Sequence, residues 1–593
     1  MTMPDKQGPG RGRGGYALLL VLLLVVAVGI LAAGAVGVVG NASLINAYES
    51  RRTEMEALAD AGLEIARARL NANPALYPAE DFATLENNVT LRDASGALIP
   101  GVRRSVYAGP VGQTSGQYGV FGSIISVVEH GNTRVVRRGD IAQESFARFA
   151  YFTDVEPSTI AFGGGDIISG PVHTNDVLKI YDSRATFRGP GTVTTAKTID
   201  QVRYGTFTEG YKERVPRIPM PTLADLTALR TYAMAGGTNF TAPNGGTAYE
   251  ARLRIEFLAI DLNGDNRLDG ENEGFFRVYQ SSGAPKYLMA GGQDSGWPSS
   301  ENCGRWEGTG NNRRFVLTKD MFTTGNATTA RNGRRAALRD PAARCYLGGS
   351  DSLYNDFRES ENGKGSWVRR TFALNGNLPA ALTTRDDAAF LFPLSRSLNP
   401  NFKGVIHVTG KVAISGIVRG RVTLAASDRI FIADDVTYAT EGSGCEDILG
   451  LFGGSDIVVS DNLLNTPQQV ENGDTYRSFD STPSEFVNAV VLTLNTFHVE
   501  NYDSGPNAEL CQTSVFGRGC LFLTGGIIQR TRGAVGTSGG TGYLKRYAYD
   551  ACAASEPPPY FPTTGHFGRS SYYEIDPVGF TPGGFFARMT PGN

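Results

Sequence analysis

The sequence predicts a mainly β protein with one long N-terminal α-helix and a large extracytoplasmic β domain. Three observations predict this. Residues Tyr16 to Gly40 carry no charged side chain, and a helical pattern continues from there without a break to about Leu70. After residue 74 the chain is dominated by short apolar runs bounded by Gly, Asn and Asp. Glycine makes up 74 of the 593 residues, above the ordinary share of about 7%, with no collagen period. That excess points to many tight turns.

The apolar segment is long enough to cross a hydrocarbon core, which takes about 20 residues of helix. It is too long for a secretory h-region of about 7–15 residues, and Gly40-Asn41-Ala42 is a poor small-residue cleavage site. Lys6, Arg11 and Arg13 precede it. Positive charge stays in the cytoplasm, so a single pass through the inner (cytoplasmic) membrane would leave the bulk of the chain outside. The stretch "NASLINAYESRRTEMEALADAGLEIARARLNANP" comes next, rich in the good helix formers Ala, Glu, Arg and Leu. Leu58, Ala61, Gly62, Ile65 and Leu70 make a thin apolar stripe at helical spacing, and Asn71, Asn73 and Pro74 end it. Both segments can form one rod from Tyr16 to about Leu70, about 80 Å long.

A short basic leader ending in Gly, then an aromatic residue, an apolar stretch and an amphipathic extension, resembles the type IV pilin-like proteins. The match is closest to the PilX and GspK type of minor pilin or pseudopilin. The resemblance implies that a prepilin peptidase cuts between Gly15 and Tyr16 and methylates the new N-terminus. The helix would then serve first as a membrane anchor and later as a packing element among other pilin-like subunits. The fifth residue after the cut is Leu20, where major pilins carry Glu; GspK-like proteins also lack that Glu.

Beyond the helix the chain divides by composition. After a basic leader (1–15) and the helix (16–73) come a small β region (74–150) and a first β tract (151–215). An insertion (216–385) and a second β tract with a disulfide-braced C-terminal region (386–593) complete it. In "GVIHVTGKVAISGIVRGRVTLAASDRIFIADDVTYA" strand-sized units recur every six to ten residues, mostly without hairpin signals. This suggests stacked rungs, as in a parallel β-solenoid. A sandwich of short strands is the alternative, although three-residue strands are short for one. "GPVHTNDVLKI", "FHVENYD", "GYLKRYAYD" and "PPPYFP" are similar to an exported bacterial β domain found after PilX-like N-termini. No activity is assigned to that domain.

Six cysteines, Cys303, Cys345, Cys445, Cys511, Cys520 and Cys552, all lie beyond the apolar segment. An even count in an exported region fits disulfides, and no CxxC spacing points to zinc. Local pairing would join Cys303 to Cys345 and Cys511 to Cys520, leaving Cys445 for Cys552.

The insertion holds the one motif with clear site chemistry, "RLRIEFLAIDLNGDNRLDGENEGFFRVYQ", an acidic loop with alternating strands on both sides. Asp261, Asn263, Asp265 and Asp269 fall at positions 1, 3, 5 and 9 of an EF-hand-type loop, with the Arg267 carbonyl at position 7. Position 12 is Asn272, flanked by Glu271 and Glu273, and position 6 is Asn266 where Gly is usual. Glu273 is the candidate final ligand, and Ca2+ is the expected cofactor. An acidic solvated turn is the alternative, against which mutual repulsion of the carboxylates counts.

No catalytic constellation is legible. "GTSGG" at Gly536–Gly540 matches the G-x-S-x-G elbow in letters but lacks its strand-turn-helix context. His173 and His407 sit within the β tracts with no nucleophile or second base beside them in sequence. Asp166 and Asn175 are candidate partners of His173. Net charge is −3, and "VVRRGD" and "RNGRRAALR" are short clusters without a basic stripe, which argues against a nucleic-acid partner. The residues together suggest a non-enzymatic minor pilin or pseudopilin of a type IV pilus or type II secretion machine, at the filament tip and initiating assembly. The alternative is a permanently anchored surface protein that binds a glycan or another envelope component through its β domain.

Overall fold

The computed structural model describes residues 14–281, 304–307, 314–317 and 367–589. Within those ranges it leaves out 79, 112–116, 118, 244–250, 266, 375–377, 386–387, 441–443, 461–468, 471–474, 477–483, 501 and 504–509. The protein is mainly β with one long N-terminal helix, and it divides into two units.

The first unit comprises the described parts of Met1–Gly112, Gly122–Ile141 and Arg569–Asn593. Its helix α1 runs unbroken over Gly14–Ala72, 59 residues and about 90 Å. Four strands, Ala83–Arg92, Leu98–Pro110, Phe121–His130 and Thr133–Ser145, are ordered as in the chain, and the strand Thr563–Ile575 completes the sheet beside the fourth. The end of α1 lies on this sheet. Met55, Ala59, Leu63, Ala66 and Leu70 are buried, and Met55 and Ala59 share a cluster with Val102, Val128 and Val135. The apolar stripe differs from the one expected. Gly62 and Leu70 are buried, Leu58 is half-buried, and Ala61 and Ile65 face outward. The reason is contact at Gly62, where an added Cβ would lie 2.5 Å from Ser126 Oγ and 2.8 Å from Arg104 Cδ. Close approach at Gly62 turns its own side of the helix inward. Arg104 secures the contact: it donates bidentately to Glu86 at 2.7 and 3.2 Å and to the Leu58 carbonyl at 3.0 Å.

The second unit comprises the described parts of Gln113–Phe121 and Ala142–Gly568. Its strands stack in parallel ladders. One ladder starts at Asn239–Thr241 and passes through Val405–Thr409, Arg421–Ala426, Ile448–Gly453, Glu485–Thr493 and Cys520–Thr531. It then continues into Tyr151–Val155, Val172–Thr174, Val193–Thr195 and Tyr211–Lys212. A parallel neighbour repeats this order: Leu544–Tyr549 pairs with Ile167–Ser169, which pairs with Ala185–Arg188 and then Gly205–Phe207. The two β tracts are therefore consecutive parts of one stack, with the chain's earlier tract placed after its later one. The insertion also contributes, since Leu253–Ala259 pairs in parallel with Val412–Val418 and antiparallel with Gly274–Ser281. Inward-facing Val, Ile, Leu and Phe from successive strands form one continuous core, including Ile414, Ile432, Leu451, Val491 and Leu523.

Candidate functional site

The apolar half of α1 has no partner within the described chain. Every residue from Tyr16 to Glu54 is exposed. The large aliphatic side chains from Leu18 to Ile45 stand at 48–73% exposure, an arrangement that water does not stabilise. This is the one described helix long and apolar enough to cross a membrane. Gly15 and Tyr16 lie in its first turn.

The acidic loop joins two antiparallel strands, with Ala259 paired to Gly274 at its base. Leu253–Ala259 is buried on both faces, where the sequence pattern suggests alternation. Its polar face is covered because Glu256 pairs with Arg277 at 3.5 Å and Tyr279 at 2.9 Å, while Arg254 donates to Ser415 at 2.5 Å. Within the loop, side chains bond mostly to backbone. Asp261 accepts from Gly264 N, Asn263 from Asp265 N, and Asp265 from Arg267 N, at 2.7–2.9 Å. Glu273, 2% exposed, uses one oxygen for Leu262 N and the other for Gly270 N. Arg419 donates to the carbonyls of Asp269 and Gly270 and is paired with Asp447 at 3.0 Å. A guanidinium thus meets the later half of the loop. Among the described residues, no three His, Cys, Asp or Glu side chains converge as metal ligands. The amide bonds to Asp261 and Asp265 use Oδ1 of each, and a carboxylate bonded to an amide through one oxygen can still ligate a cation. Sequence spacing brings the acidic residues to one loop, but it carries no signal for Arg419, about 150 residues away.

Cys445 is joined to Cys552, and Cys511 to Cys520. Cys303 and Cys345 lie outside the described residues, as does "RNGRRAALR". The arginines of "VVRRGD" are taken up by acids: Arg137 meets Glu56 at 3.0 Å and Arg138 meets Asp140 at 2.7 Å.

His173 is 2% exposed, its Nδ1 2.9 Å from Thr194 Oγ1 and its Nε2 3.0 Å from Asn175 Oδ1. Asp166 instead meets Lys545 at 3.0 Å. His407 lies 2.9 Å from Asn239. Burial, aided by Arg230, holds His407 down at about 4, and burial also lowers His173 and His498. An unfolded imidazole titrates near 6.5, so between about 6.5 and 4 the unfolded chain binds more protons. Stability should be fully present above that window and fall as pH drops through it. For His407 the expected slope is at most about 1.4 kcal/mol per pH unit. Denaturant titrations at pH 7 and pH 5 measure it, and His407→Gln should flatten the difference.

"GTSGG" forms a tight turn in which Thr537 N donates to Thr541 O and Gly540 N to Thr537 O. The next element is the strand Leu544–Tyr549, so no helix follows Ser538.

No protein-family model and no curated protein matches the chain. Among solved structures it is similar to the crystal structure of the competence-associated pilin ComZ from Thermus thermophilus, at 13% identity and a TM-score of 0.25, over 87% of this chain and 96% of that one.

Proposed function

We propose that this chain is a pilin-like structural subunit without catalytic activity, held in the inner membrane by α1 and transferred from there into a filament. The supporting observation is the unpartnered apolar half of a helix whose other half is docked on its own sheet. Such a surface leaves water in a bilayer or against the helices of other subunits, and both surroundings favour it similarly. The proposed machine is a type IV pilus or a type II secretion system, with prepilin peptidase acting between Gly15 and Tyr16.

The processing test replaces both glycines, since Gly15→Leu by itself leaves Gly14 available. The Gly14→Leu, Gly15→Leu double variant should stay at full length in the membrane fraction, while the unaltered chain begins at N-methyl-Tyr16 by mass spectrometry. Mature protein of unchanged mass in the double variant would refute processing.

Leu20 supports a tip position. A carboxylate at this place would pair with the N-terminal amine of the subunit above, and an unpaired charge in apolar surroundings costs several kcal/mol. Leu20 offers that amine nothing, so the consistent place has no subunit above it. Immunogold label should sit at filament ends in few copies. Even labelling along the shaft would exclude the tip.

For the acidic loop the proposal is a structural calcium ion. At a hundredfold excess over Kd it would stabilise the fold by about 2.7 kcal/mol. A chelator should lower the melting temperature, and Asp261→Ala with Asp265→Ala should abolish that shift. Identical melting with and without millimolar calcium leaves a loop held by backbone bonds, Glu273 and Arg419.

A further inference from the structure

A cleft in the second unit combines features that none of the membrane chemistry uses. It encloses about 530 Å³, within the range of about 300–1,000 Å³ typical of small-molecule sites. Its walls come from two distant regions of the chain, within 159–183 and 502–545. The turn before Ile167–Ser169 supplies Asp166, the segment after Leu178–Lys179 supplies Tyr181 and Ser183, and the "GTSGG" turn and the strand after it supply Thr537 and Lys545. The parallel stacking of Leu544–Tyr549 on Ile167–Ser169 brings them together.

Asp166 and Lys545 form the polar centre. Their side chains are 2% and 12% exposed, with Nζ 3.0 Å from Oδ2. The same Oδ2 accepts from Gly163 N at 3.1 Å, whereas Oδ1 accepts no bond among the described residues. An ammonium has three N–H donors, and this pair uses one. The pair therefore offers a carboxylate oxygen and ammonium hydrogens side by side. Tyr181 lines the cleft with half its surface exposed. Ser183 accepts from Gly164 N at 2.7 Å, which leaves its hydroxyl hydrogen to donate.

We propose that this cleft binds a short stretch of uncharged saccharide. Vicinal sugar hydroxyls both donate and accept, which suits Asp166 Oδ1 and the Lys545 ammonium together. An anion would gain little from a lysine already paired with Asp166, and a cation is disfavoured by Lys545 and by Arg546, which is held to the Gly165 carbonyl at 2.9 Å. The apolar C–H face of a pyranose packs on an aromatic ring, the service Tyr181 offers. Gly163 keeps the wall thin, because a Cβ there would lie 2.7 Å from Ser183 Oγ and 3.0 Å from Tyr181 Cβ.

Saccharide binding at this cleft needs neither α1 nor a filament, so it can be tested apart from the pilin-like role. The full chain, solubilised in a detergent without a sugar headgroup, is mixed with maltotriose, cellotriose, mannotriose and a sialylated trisaccharide. Saturation-transfer difference NMR should give signals from at least one uncharged trisaccharide. Tyr181→Ala removes an exposed ring and should weaken that binding about tenfold at an unchanged melting temperature. Asp166→Asn should weaken it as well; if that variant melts lower, Tyr181→Ala decides. Binding to the matching insoluble polysaccharide in addition identifies an internal stretch of polymer, and binding to free trisaccharides without it identifies a chain end. No signal from any uncharged trisaccharide at millimolar concentration overturns the proposal. So do signals from the sialylated probe only, or signals indifferent to Tyr181→Ala.

Discussion

Arg532→Met is expected to lower unfolding stability by about 3–5 kcal/mol, the usual consequence of removing one partner of a buried ion pair. Arg532 and Glu156 have side chains 2% and 0% exposed, with Nη1 3.1 Å from Oε2. Glu156 Oε1 also accepts from the hydroxyls of Tyr151 at 3.0 Å and Thr153 at 2.5 Å. The guanidinium lies 3.8 Å from the centroid of Phe162, so its charge rests on a ring as well as on the carboxylate. Methionine would fill much of the volume but leave a carboxylate in the interior without its cation. Adding Glu156→Gln should restore more than half of the loss, because a neutral amide still accepts both hydroxyl bonds. Denaturant midpoints of the two single variants and the double variant measure the coupling. A loss below about 1 kcal/mol in Arg532→Met would mean that water reaches Glu156.

Gly526→Ala is expected to be similarly damaging, by about 3 kcal/mol, the upper end of overpacking in a core. The strand Cys520–Thr531 is bonded on one edge to Glu485–Thr493 and on the other to Tyr151–Val155. A Cβ on Gly526 would lie 1.9 Å from the Phe149 carbonyl oxygen, and one on Gly525 would lie 2.0 Å from that of Ala489. Both obstacles are backbone, so no side-chain rotation relieves them, and Gly525 also has φ +141°. The clash falls where the later β tract meets the earlier one, and relief would pull the ladders apart. Gly164→Ala is the control. Its φ is +63° but nothing lies within 4 Å of an added Cβ, so about 1–2 kcal/mol of backbone strain is expected. Equal losses in the two variants would show that the ladder yields at Gly526.

Some of the candidate chemistry is legible in the sequence because it depends on near neighbours. The spacing of Asp261, Asn263, Asp265 and Asp269 identifies a loop between two strands, and the structure has that hairpin. Glu273, the candidate final ligand, braces Leu262 and Gly270 from a buried position. Whether the loop's carboxylates converge on one point depends on its three-dimensional path, which ligand spacing does not encode. The saccharide cleft leaves no mark in the sequence beyond the Gly-rich turn, since Asp166 and Lys545 are 379 residues apart.

Helix and strand formation in this chain are set by local composition. Charge-free residues from Tyr16 to Gly40 and strong helix formers after them give α1, because helix hydrogen bonds close within four residues. Gly-bounded apolar runs give short strands, whose alternation is likewise local. Which strand lies beside which is settled only in the folded molecule. There Tyr151–Val155 comes after Cys520–Thr531, Thr563–Ile575 joins a sheet begun near residue 83, and Ala61 and Ile65 turn outward. The physical reason is that backbone N–H and C=O groups are the same in every strand. Ladder order is therefore selected by how distant side chains fill a shared core and by glycines that let backbones meet, information no single segment contains.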